Sequence, residues 1–131
     1  MNFVLAIFSI LFNIYVDSNC KMVMLSSKEG ILRPLAYTKA DFWQQDSNEI
    51  DTLHINDLEK LSRIDNRLMK MIPINNEIDY KRALIRYKNG VCLDTIYTDS
   101  FFHDWEINNR FFEDKSEELK VLFYSLLSKK N

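Results

Sequence analysis

The chain has 131 residues, 47% of them hydrophobic and 27% charged, with a formal net charge of −2. That is the composition of one folded domain with room for a core, and it excludes general affinity for nucleic acid, which needs clustered Lys and Arg against phosphate. With only Gly30 and Gly90 present, a glycine-rich phosphate cradle of either the P-loop or the dinucleotide type is excluded as well.

Residues 3–16 form an apolar run interrupted only by Ser9 and Asn13. As a helix it would reach about 21 Å, short of the roughly 30 Å hydrocarbon core of a bilayer. The length suits the apolar region of a secretory leader, with Val16 and Ser18 before a cut at Asn19, although no Lys or Arg precedes the run. The expected organisation is therefore a signal peptide over residues 1–18 and a single domain over 19–131. Cys20 follows directly and leaves three alternatives: lipidation, a disulfide to Cys92 in an oxidising compartment, or two unpaired thiols. Membrane contact is expected only through the leader or such a lipid.

Residues 22–55 carry little pattern: a short apolar stretch at 22–25, then 31–37 broken by Pro34, so that any strand there belongs at a sheet edge. Thr38 with Asp41 predicts a capped helical turn, and residues 50–55 an extended segment. This N-terminal third is expected to wrap an edge of the sheet. Asn56 with Glu59 opens a predicted helix over 57–72, striped by Leu58, Leu61, Ile64, Leu68, Met71 and Ile72 and closed by Pro73.

Residues 81–97 read as two strand-like segments meeting at Asn89-Gly90, a strong hairpin signal. A two-residue turn would send Asp94 into the core. A three-residue loop over 88–90 instead gathers Ala83, Ile85, Tyr87, Val91, Leu93, Thr95 and Tyr97 on one apolar face, and that register is expected. Arg82, Arg86 and Lys88 then form a basic strip on the other side. A second hairpin is expected at Asn108-Asn109, with Trp105 opposite Phe112 on its inner face and Phe102 and Phe111 turned outward. A closing helix over 115–128 follows, capped by Asp114 with Glu117.

The fold expected is α+β: a small antiparallel sheet of three or four strands from two hairpins, packed on one face by two helices and preceded by the hydrophobic leader. No catalytic constellation emerges. His103, Asp104 and Glu106 have suitable chemistry, but in a strand His103 would point away from both carboxylates, and no chelate spacing predicts a metal or any other cofactor. The functional expectation is a non-enzymatic, extracytoplasmic binding protein, periplasmic, secreted or envelope-anchored, for a protein partner. The partner surface is placed on Phe102, Phe111, Arg82 and Arg86. Two alternatives stand beside it: a cytoplasmic interaction protein of the immunity type, whose acidic balance suits a basic partner, and a small hydrolase using His103.

Overall fold

In a computed structural model, which describes residues 19–28 and 36–129, the sequence pattern resolves into a seven-stranded antiparallel sheet and three α-helices. The proposed leader lies outside the described residues. In chain order the elements are β1 (Cys20–Ser27), α1 (Lys39–Trp43), a 3-10 turn (Ser47–Glu49), β2 (Ile50–Ile55), α2 (Leu58–Leu68), β3 (Ile72–Ile74), β4 (Arg82–Lys88), β5 (Val91–Thr98), β6 (Asp104–Ile107), β7 (Arg110–Glu113) and α3 (Glu118–Lys129). The sheet runs β2-β1-β4-β5-β6-β7-β3.

The α+β class holds, but the sheet is nearly twice the expected size. The N-terminal third does not wrap an edge: β1 lies between β2 and β4, with Met24 opposite both Leu53 and Leu84. Its inward residues, Met22, Met24 and Ser26, alternate with less buried ones. Methionine and serine are weak strand markers, which is why the segment looked featureless. The helix expected to run to residue 72 stops at Leu68, and Ile72–Ile74 pairs with β7 as an edge strand, where Pro73 costs no ladder bond on its outer side.

Helix α2 starts where a carboxylate can serve its free amides. Asp57, one residue after the expected Asn56, accepts from Glu59 N at 2.9 Å and Lys60 N at 3.2 Å. Leu61, Ile64 and Leu68 then fall on its buried face. Thr38 and Asp41 form the expected capping box of α1. Asp114 accepts from Leu119 N at 3.0 Å at the start of α3 and from Arg67 Nε at 3.0 Å on α2. One fully buried carboxylate thus fastens both helices to the end of β7.

The two sheet faces bury different material. Met22, Met24, Leu84, Ile96, Trp105 and Phe123 belong to the larger core, which includes the apolar stripes of α2 and α3. Behind the sheet a smaller cluster joins Tyr37, Phe42, Ile78, Tyr80, Ala83 and Tyr97. The helices therefore roof the Leu84/Ile96 side of the central hairpin, the reverse of the side expected from sequence. Leu93, expected in the core, is 44% exposed.

Candidate functional site

The central hairpin turns on two residues, not three: Lys88 pairs with Val91, and Asn89 and Gly90 carry φ of 54° and 78°, the left-handed values of a primed turn. Tyr87 pairs with Cys92, but Arg86 then pairs with Asp94, so Leu93 is a β-bulge with no partner position on β4. The extra residue swings Asp94 onto the side of Arg86 and Leu84. A simple two-residue register puts Asp94 on the wrong face, and a three-residue loop corrects the faces with the wrong turn. The chain keeps the Asn-Gly turn and corrects the faces with the bulge.

Arg86 becomes the centre of an ion cluster. Its Nε and Nη2 donate to the two oxygens of Asp94 at 2.7 and 2.5 Å, and its Nη1 donates to Asp65 Oδ1 on α2 at 3.2 Å. The planar guanidinium matches the carboxylate in this two-point arrangement. Arg86 is buried, so the expectation that it lies on an exposed partner surface is corrected. Burial pushes the Asp65 carboxyl up to about 6, with Arg86 opposing the rise and Asp94 adding to it.

Beside this cluster opens a small cleft of about 40 Å³, lined by Cys20, Lys21, Met22, Leu61, Asp65, Arg86, Tyr87 and Leu93. Leu61 and Asp65 lie one turn apart on α2 and so share a face. The walls are mainly apolar; the charged residues on them are Lys21, Asp65 and Arg86, and the Arg86 guanidinium is engaged by Asp65 and Asp94. A hydrogen-bond donor or a cation finds Asp65. Neither His54 nor His103 lines the cleft, so Cys20 has no imidazole base within it.

The other expected partner residues are not on the surface. Phe102 is fully buried, stacked on Phe123 with ring centroids 4.7 Å apart, because Phe102 sits in the left-handed region (φ 57°) before β6 and is turned inward. Strand alternation does not begin until Asp104. Arg82 is buried too: it donates to Ser26 Oγ at 2.8 Å and Ser100 O at 2.9 Å, and its guanidinium lies 4.3 Å from the Phe102 ring centroid. Phe111 is half-buried against the tyrosine cluster. Near the second hairpin the most exposed ring is instead Phe101, 62% exposed. The expected Trp105–Phe112 pairing is present.

The expectation that His103 cannot meet a carboxylate also fails, since His103 precedes β6 and escapes its alternation. Its Nδ1 lies 2.7 Å from Asp104 Oδ1 and its Nε2 4.0 Å from Glu113 Oε2 on β7. Glu106 does not join them. It is buried behind the sheet, with Lys39 Nζ at 2.5 Å and Tyr80 Oη donating at 3.4 Å, and burial together with Glu106 pushes the Tyr80 hydroxyl up to about 12.

Cys20 and Cys92 do not bridge. They lie on β1 and β5 with β4 between them, about 9.6 Å apart at normal strand spacing, beyond the reach of a disulfide. Among the described residues no helix is long and apolar enough to cross a membrane. No family model, curated protein or solved structure matches this chain.

Proposed function

We propose that the chain is a non-enzymatic binding protein and that the cleft beside Arg86 is its recognition site, taking an apolar side chain with a neighbouring ammonium or guanidinium group from a basic protein partner. The observation that carries this reading is the Asp65 carboxylate on the wall of a mainly apolar cleft. Asp94 satisfies Arg86 at two points, and Asp65 is held in place by the same guanidinium. Leu93 supplies exposed apolar surface beside it, and a leucine outside the core on a bulge is surface that folding itself does not use. The net charge of −2 favours approach by a basic partner.

The proposed place of action is outside the cytoplasm, supported by the apolar run at residues 3–16. A second reading, a cytoplasmic immunity-type protein, is favoured by the two cysteines, which stand too far apart to bridge, with Cys92 exposed. N-terminal mass analysis of the protein from its native host separates the two readings: loss of residues 1–18 supports export, and an intact Met1 supports the cytoplasmic alternative.

Hexylammonium serves as a probe of the cleft. In an amide NMR titration its shifts are expected to cluster at Cys20, Leu61, Asp65 and Leu93, while hexanoate leaves them unmoved. Equal response to both probes, or shifts scattered over the molecule, would overturn the assignment.

A further inference from the structure

His103 and Glu113 face each other at the β6–β7 hairpin. Asp104 Oδ1 lies 2.7 Å from His103 Nδ1, which orients the ring. Its Nε2 looks toward Glu113 Oε2. The separation, 4.0 Å, is too long for a hydrogen bond. It is, however, close to the sum of one metal–nitrogen and one metal–oxygen bond of about 2.1 Å each, and a small rotation of either side chain shortens the gap to the roughly 3.4 Å of a tetrahedral ligand pair.

The imidazole is held firmly. Asp99 accepts from the amides of Phe101 and His103 at 3.0 and 3.1 Å and from that of Asp104 at 3.3 Å, while Asp114 N donates to His103 O at 2.9 Å. Trp105 Nε1 donates to Phe102 O at 2.9 Å, fixing the residue before it. Among the described residues, His103, Asp104 and Glu113 are the one group of three or more His, Cys, Asp or Glu side chains whose ligand atoms all lie within 4.8 Å. All three remain partly open to solvent, so water can complete a coordination sphere.

We propose that this hairpin binds a divalent first-row transition ion between His103 Nε2 and Glu113, with Asp104 orienting the imidazole from behind. The carboxylate–histidine–metal arrangement with nitrogen and oxygen ligands suits Zn²⁺. Lys115 Nζ, 3.6 Å from Glu113 Oε1, contacts the other oxygen and leaves Oε2 for the ion.

The test uses the full chain and Zn²⁺ alone, read by the imidazole nitrogen resonances. The chain has two histidines, and His54, exposed on β2, serves as the internal control. The expected result is a metal-type shift of His103 Nε2 that saturates near one equivalent while His54 lags behind. Glu113→Gln should weaken the His103 response at least tenfold, and Asp104→Asn should weaken it similarly by freeing the ring. The proposal is overturned if His54 or the thiols of Cys20 and Cys92 respond first, or if the His103 response is unchanged in Glu113→Gln. A change at His103 produced by pH but not by Zn²⁺ would show that a proton, not a metal, occupies the gap, and would overturn it equally.

Discussion

The molecule carries two ionic clusters built from similar parts and finished differently. Around Arg86, two carboxylates share a permanently charged guanidinium between helix and sheet, so the cation is part of the fold. Around His103, two carboxylates flank an imidazole at a partly solvated hairpin, where the gap between Nε2 and Glu113 is open to a ligand from outside. The difference lies in burial. A buried group of carboxylates needs its counterion built in, whereas a half-exposed group can leave the place to a ligand.

Removing the built-in cation is the severest way to break the comparison. Arg86→Met leaves Asp65 and Asp94 without their shared counterion and is expected to cost about 3 kcal/mol in urea unfolding. Asp65→Asn sharpens the same point through pH. Folding raises the Asp65 pKa from 3.8 to about 6, so between those values the folded state holds the proton more tightly than the unfolded chain. Stability from this group is full below the lower value and declines as pH rises toward the upper one. The stability of wild type relative to Asp65→Asn should therefore fall across that window, by about 1–2 kcal/mol after allowance for solvent contact, and stay flat above it. Leu93→Ser is expected to change stability by less than about 0.5 kcal/mol, since the side chain is already exposed, yet to weaken hexylammonium binding several-fold. Smallest of all is His103→Ala, expected within about 0.5 kcal/mol of wild type by the same unfolding measurement.

Local signals in the sequence were reliable. The place of the hairpin at Asn89-Gly90, though not its expected three-residue loop, the Thr38–Asp41 box, the Trp105–Phe112 pair and the apolar stripe of α2 are each set by neighbours a few residues apart. What stayed hidden depends on distant partners. β1 became an inner strand only because β2 and β4 both pair with it, and Ile72–Ile74 left its helix because β7 offered an edge. The candidate site was legible only in its parts. Arg86 was placed on the hairpin, but Asp65 comes from α2, and the bulge at Leu93 that brings Asp94 beside Arg86 carries no glycine to announce it. The meeting of His103 with Asp104 and Glu113 was not legible because a left-handed Phe102 delays the strand until Asp104, a conformation that a phenylalanine does not advertise.

The most direct test of the cleft is the affinity of the protein for hexylammonium at pH 7.5 and at pH 5, on either side of the raised Asp65 pKa. Binding is expected to be several-fold tighter at the higher pH, where Asp65 is ionised, and this dependence should vanish in Asp65→Asn. Binding that ignores pH, or hexanoate held as tightly as the ammonium, would contradict the account.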